Sequence, residues 1–398
     1  MKNVSMLFMS QLLSAFASTL GTFCISWIVY EQTGSKLAMG GLWLVNIGGQ
    51  LIIQFLAGPF IDRWKRTTMM KASEMIRYLA FLLIWFALLT GNASTVFLYI
   101  TAFLTSLVVY DAAAGALVPK LAKSEELIKV NARISGGVQF VRFITLPLAG
   151  LIIAFIGYLD AIFLVFSLFF VSYWIIAGIN ESTIEMTQKQ SWAKQFKQGL
   201  RIYKKHPILL ILGGFISVTS FGVFATQAMY IPYVAEILSG SSFEYGLFAA
   251  SFPLGYIIGS YAAGKLNETL QSLYRIMMFV LFIGGCTYLA LGITNVLWVA
   301  ILIEVIAGSA MPFWNIYSTT LYQRLVPNTI LGQVLSVRFL LTKAAAPLGI
   351  LYGAFCASRY GIPVLFLSVG MLICIMSCSG LVLLSRNRTG NLKKEKWI

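Results

Sequence analysis

Long apolar runs fill this chain, and short polar clusters separate them. A helix that is hydrophobic all round belongs in a membrane or a deep core. About 20 apolar residues are enough to cross the hydrocarbon layer. Runs of that size lie near 4–30, 37–61, 72–91, 94–119, 134–157, 160–180, 208–234, 243–264, 275–293, 296–322, 334–357 and 361–384. The pattern predicts an all-α integral membrane protein with about twelve transmembrane helices. Gly48-Gly49, Pro147, Pro232, Pro253, Pro312 and Pro347 interrupt several runs. Membrane helices tolerate such breaks where neighbours satisfy the freed backbone groups. The first run is too long for the apolar region of a signal peptide and has no small-residue cleavage site after it, so it is expected to remain as a span.

One polar stretch, 181–207, divides the runs six and six. The expected organisation is a six-helix bundle over 1–180, a linker over 181–207, a second six-helix bundle over 208–385 and a basic tail over 386–398. Within the linker, Lys194, Lys197 and Arg201 fall near helical spacing, which suits an amphipathic surface helix. The halves look like repeats. At an offset of 204, Tyr110-Asp111 meets Trp314-Asn315 and Lys120-Leu121 meets Arg324-Leu325. After a four-residue slip, Pro147-Leu148 meets Pro347-Leu348.

Charge gives the orientation. If the N-terminus is cytoplasmic and the spans alternate, 24 of the 29 Lys and Arg residues fall in cytoplasmic segments and two in outer loops. Arg77, Arg142 and Lys343 lie within spans. Positively charged loops stay inside, so both termini are expected in the cytoplasm.

Composition agrees with the pattern. The 398 residues are 59% hydrophobic and 11% charged, whereas a soluble domain is roughly half apolar and a quarter charged. The net charge of +15 would suggest nucleic acid on a soluble protein. Here the bases punctuate apolar spans and form no continuous face, so membrane lipids are the expected partner and nucleic acid is not. The five cysteines lie in or beside apolar runs, and His206 is the single histidine. That set offers neither a disulfide framework nor a metal site, and no cofactor is expected.

The segment Gly58-Pro-Phe-Ile-Asp62-Arg63-Trp-Lys-Arg66-Thr67 follows an apolar run directly. Its pattern resembles the loop signature of the major facilitator superfamily. That resemblance implies two six-helix halves that alternate access across the membrane, and it assigns Gly58, Asp62, Arg63 and Arg66 to a cytoplasmic conformational latch. The second-half counterpart, Gly259–Lys265, keeps its glycines but lacks the Asp-Arg pair, which predicts an asymmetric latch. Thr33-Gly34-Ser35, Ala116–Pro119, Asn131-Ala132, Leu325–Pro327 and Gly332–Ser336 look like the macrolide-efflux branch, which includes siderophore and antibiotic exporters. Pro147-Leu-Ala-Gly150 is a weakened antiporter motif with Leu146 in place of a glycine. The resemblance implies a bacterial cytoplasmic membrane and a monomer that acts on a small molecule and protons.

Ionisable groups inside a span are costly and are functional candidates by default. Asp111, Arg142, Glu304 and Lys343 qualify. The spacing puts Asp111 and Arg142 at matched depth, where they can pair. A carboxylate in a low-dielectric cavity favours its protonated form, so Asp111 and Glu304 are the candidates for proton coupling. Arg142 and Lys343 occupy near-equivalent positions before their Pro-Leu pairs. A static ion pair that orients helices is the competing reading. Glu74 and Arg77, at the start of the third run, are expected to form an interfacial pair. Glu31 is expected to be a solvated residue at a helix end.

Spans one, four, seven and ten line the cavity in this family. By that resemblance, Gln227, Tyr230, Tyr233, Trp314, Asn315 and Tyr317 are the expected substrate-binding residues. The leading reading is a proton-driven exporter of amphiphilic small molecules. A uniporter or lipid flippase of the same fold, and a channel, are the alternatives. An enzyme lacks its nucleophile and base constellation, and a nucleotide-driven pump lacks a phosphate-binding loop.

Overall fold

A computed structural model describes residues 2–61, 65–107, 109–121, 127–181, 197, 200–203, 207–265, 270–326 and 328–386. Among these residues every regular element is helical, as a chain in lipid requires, because a helix satisfies its own backbone groups. The helices cluster into two units. Unit 1 contains Met1–Gln188 and Gly240–Leu247, and unit 2 contains the rest.

In unit 1, α1 (Lys2–Thr33) and α2 (Lys36–Ile61) are joined at Gly34, whose φ of 57° suits a residue without Cβ. α3 (Arg66–Leu89) follows. The expected fourth span is two 12-residue helices, α4 (Thr95–Ser106) and α5 (Tyr110–Leu121). Ser94 caps α4 by accepting from the Phe97 amide at 3.3 Å. The break between α4 and α5 contains neither Gly nor Pro. Its cause is tertiary, since the Val109 amide donates to the Ser73 hydroxyl of α3 at 3.3 Å. α6 (Leu127–Ala177) runs for 51 residues and carries the two expected spans, interrupted at Gly157 with φ 75° and ψ 179°. A branched or bulky residue would be strained there.

Unit 2 contains α7 (Pro207–Gln227), α8 (Ser242–Lys265, whose first residues cluster with unit 1), α9 (Leu270–Ile293), α10 (Leu297–Leu325), α11 (Asn328–Tyr360) and α12 (Ile362–Arg386). After α7 the chain loosens. A short helical turn at Tyr230–Pro232 passes into a π-helical turn at Tyr233–Ile237. Pro232 has no amide to donate, and π-turns of this kind are common at functional sites.

Among the described residues, ten helices are long and apolar enough to cross a membrane. One of them, Gly136–Ala177, has 42 residues, enough for two crossings. With α4 and α5 together supplying another, the architecture is the expected one of about twelve crossings. Large apolar side chains remain on the outside, including Phe155 at 83% and Trp298 at 68% exposure, as lipid contact requires.

Lipid gives helices no hydrophobic drive to associate, so small residues that let backbones meet carry the packing. A Cβ added to Gly255 or Gly259 of α8 would lie 2.0 Å from the Val305 or Ser309 carbonyl of α10, and one on Gly308 would lie 2.1 Å from the Phe252 carbonyl. Gly349 and Gly353 of α11 meet the Phe221 and Ala225 carbonyls of α7 in the same way, at 2.3 and 2.2 Å. Both pairs show Gly-x-x-x-Gly spacing. The α8–α10 contact seats Val305, and with it the neighbouring Glu304.

Candidate functional site

Glu304 lies on α10 and is 2% exposed. The Tyr230 hydroxyl donates to its Oε1 at 2.8 Å. Among the described residues Glu304 makes no ion pair. Its surroundings are aromatic. The Tyr230 ring meets Phe248 edge-on at 5.1 Å, and Tyr233 meets Phe366 at 4.8 Å. Tyr288 stacks near Phe366 at 6.4 Å. The irregular turn after α7 presents both tyrosines. The Tyr233 hydroxyl donates to the Leu291 carbonyl at 2.9 Å, which ties the turn to α9. Among the described residues this carboxylate has one short donor and no cation beside it.

Asp111 and Arg142 are paired at matched depth, 3.9 Å apart. The Asp111 side chain is 78% exposed and that of Arg142 45%, so burial in unit 1 does not constrain them. Asp111 falls in the first turn of α5, where the break in the fourth span creates a helix N-terminus that favours negative charge. Lys343 is half-buried, with its ammonium 5.9 Å from the centroid of the Phe224 ring.

A second buried carboxylate belongs to Glu74. Glu74 is fully buried and Arg77 is 9% exposed. They stand together as expected, and α3 begins at Arg66, two turns before Glu74. The Arg77 guanidinium lies 3.7 Å from Glu74 but donates to the Ser14 hydroxyl at 3.0 Å. It also lies 5.6 Å from both the Tyr110 and Phe169 ring centroids. Tyr110 in turn donates to Ser10 at 3.3 Å. The signal was present in the sequence, since Ser10 and Ser14 on α1 face one side of a helix at i,i+4, like Ser73 and Arg77 on α3. Glu31 is exposed, as expected, and accepts from Trp27 Nε1 at 2.6 Å and from the Tyr158 hydroxyl.

Of the expected latch, Gly58 lies in the last turns of α2 and Arg66 opens α3, while Asp62 and Arg63 lie outside the described residues. Beside them is a contact the sequence did not suggest. Glu181 accepts from the Thr67 amide at 2.9 Å and the Thr67 hydroxyl at 3.0 Å, and its other oxygen takes Lys120 Nζ at 3.3 Å. Burial pushes this carboxyl upward, but the hydrogen bonds from the Thr67 and Arg66 amides, the Thr67 hydroxyl and Lys120 outweigh it and hold the group below its usual range.

The expected substrate-binding residues do not share one environment. Gln227 and Asn315 are half-buried, and the Asn315 amide donates to the Tyr256 hydroxyl at 3.3 Å. Tyr230 binds Glu304. Tyr233, Trp314 and Tyr317 are 0%, 3% and 3% exposed. Trp314 and Tyr317 pack into the apolar core of unit 2 with Phe215 and Leu321. Aromatic bulk in a span reports core packing as readily as it reports a pocket.

The Major Facilitator Superfamily model matches residues 7–341. The uncharacterised MFS-type transporter YvqJ of Bacillus subtilis (strain 168) is 23% identical over 409 residues, covering 99% of this chain and 96% of the relative. Macrolide efflux protein A of Streptococcus pyogenes is 21% identical over 381 residues, covering 92% of each chain. Among solved structures, a bacterial homologue of the iron transporter ferroportin in an inward-facing state aligns with a TM-score of 0.74 at 17% identity, covering 95% of this chain and 98% of that one. The nucleoside transporter NupG aligns with a TM-score of 0.76 at 10% identity over the whole of both chains. At these identities the structures speak for the fold alone.

Proposed function

The chain belongs to the Major Facilitator Superfamily, and we propose that it is a proton-coupled antiporter that exports amphiphilic small molecules by alternating access. The observation that carries the coupling is Glu304, a buried carboxylate in a span with a tyrosine donor and, among the described residues, no cation paired with it. Proton loading relieves the cost of burying its charge, and release through Tyr230 restores it. Such a group ties the stability of one conformation to proton occupancy. Asp111, paired with Arg142 and exposed, is the carboxylate through which protons or a cationic substrate group reach unit 1. Lys343 serves an anionic group of the substrate, or balances charge in the second half.

Export is supported by the near-full-length similarity to Macrolide efflux protein A, so macrolide-like amphiphiles are the substrate class to test first. Gln227, Tyr230 and Asn315 are its proposed contacts. Gly58, Asp62, Arg63 and Arg66 form the proposed cytoplasmic latch, with both termini on that side and the chain acting as a monomer in a bacterial cell membrane.

Purified protein in lipid vesicles, given erythromycin and an imposed pH gradient, provides the test. Accumulation should follow the gradient and collapse when an ionophore dissipates it. Equal transport with and without the gradient would instead favour a uniporter or flippase, and single-channel current would favour a channel.

A further inference from the structure

We propose that Glu74 is a second proton-binding carboxylate of this transporter, seated inside unit 1. The inference rests on the proton-coupled reading above and adds a residue to it. Among the described residues, neither oxygen of the wholly buried Glu74 carboxylate meets full hydrogen-bond geometry, with the Ser14 hydroxyl beside it and the Arg77 guanidinium 3.7 Å away. A purely structural ion pair would use those oxygens, because a buried pair is stable only when its remaining lone pairs are satisfied. Arg77 is not committed to Glu74. Its guanidinium is held by the Ser14 hydroxyl and by the faces of Tyr110 and Phe169. Arg77 therefore keeps its partners whether Glu74 is charged or neutral, and Glu74 is left able to change protonation state.

The surroundings supply a route. The charged and titratable groups near Glu74 are Arg77 on α3 and Tyr110 and Asp111 on α5. α4 carries no charged side chain, and α1 and α6 contribute Ser14, Phe169 and Ser172 to the cluster around Arg77 and Tyr110. Asp111 is near enough for the two carboxylates to repel, and it is exposed where Glu74 is not. A proton passing from Asp111 to a Glu74 oxygen forms one O–H bond and breaks another, and it leaves by the reverse path. Ser73, beside Glu74, holds the Val109 amide at the break between α4 and α5, so the proton site adjoins a point where a span is already discontinuous.

Infrared titration of the full-length protein in lipid tests the assignment. Wild type should show a protonated-carboxyl stretch that titrates with pH, and Glu74→Gln should lose one component of it. Glu304→Gln should lose a different component. Glu74→Asp should keep a titrating component at a shifted frequency, which serves as the readout if the Gln variant does not fold. A Glu74→Gln spectrum that titrates as wild type does, or a Glu74→Asp spectrum with no moved component, would overturn the proposal. In vesicles, gradient-driven accumulation of erythromycin should fall roughly tenfold in Glu74→Gln. Gradient-driven transport with an unaltered carboxyl titration sinks the Glu74 site alone. Gradient-independent transport in wild type with the Glu74 component present sinks the coupled reading alone.

Discussion

Thr67 and Glu181 stand 114 residues apart in the chain, yet one Glu181 oxygen takes both the Thr67 amide, at 2.9 Å, and the Thr67 hydroxyl, at 3.0 Å. Lys65, at the N-cap position of α3, makes no side-chain cap. A distant carboxylate therefore does the work of a local cap, and it adds Lys120 at the end of α5. One side chain thus fastens the segment after α6 to the ends of two other helices.

Replacing this carboxylate should cost what a lost cap costs. Glu181→Ala should lower stability by about 1–2 kcal/mol, measured as thermal unfolding in detergent. The pH dependence has a definite sign. The folded-state carboxyl lies below its unfolded value of about 4.3. Its stabilisation is therefore complete above that pH and fades as pH falls through the folded value. The stability gap between wild type and Glu181→Ala should be constant at neutral pH and close in acid.

Glu304→Gln should preserve the hydrogen bond from Tyr230 while abolishing titration. The variant should fold with wild-type stability and lose gradient-driven accumulation roughly tenfold, equivalent to about 1.4 kcal/mol. Downhill exchange of erythromycin should persist. Equal sensitivity of uphill and downhill transport would remove Glu304 from the coupling step.

Asp111→Asn separates function from stability at the exposed pair. With side chains 78% and 45% exposed, the ion pair is worth at most about 1 kcal/mol. The melting temperature should hardly move, so a transport defect in this variant is a defect of coupling or binding.

The fold was legible because lipid leaves a chain few options. A run of some 20 apolar residues has to be a helix, and every expected crossing has a helical counterpart. The pairing of Asp111 with Arg142 was legible from two charges at equal depth in apolar runs. The interruption at 107–109 was not, because its partner, Ser73, is on another helix. The burial of Glu74 was not legible, because the third apolar run starts near 72, six residues after α3 begins. Four of the six extra residues of α3, Arg66, Thr67, Thr68 and Lys71, are polar, and Glu181 binds the Thr67 amide in its first turn. The core packing of Trp314 and Tyr317 was not legible, because a span's aromatic residues do not announce whether they face a core or a passage.

Gly259 tests the packing account. The glycines of Gly259–Lys265 resemble a worn latch in sequence, but Gly259 meets the Ser309 carbonyl where no Cβ fits. Gly259→Val should cost about 1–3 kcal/mol, as overpacking does. Gly284→Ala, with open space around its would-be Cβ, is the control and should be nearly neutral.

Trp314→Ala should cost about 3–5 kcal/mol of stability, as expected for a core aromatic residue. In the protein that does fold, the concentration dependence of erythromycin transport should match wild type.

The interruption between α4 and α5 also bears on biosynthesis. Each half has 12 residues, or about 18 Å of helix, against a hydrocarbon layer of about 30 Å. Neither half can be threaded into the bilayer alone, so the two must leave the insertion machinery as one hydrophobic segment. The bond from Val109 to Ser73 can form only after α3 is already in place. The discontinuity is thus a product of assembly, written late into a helix that enters the membrane whole.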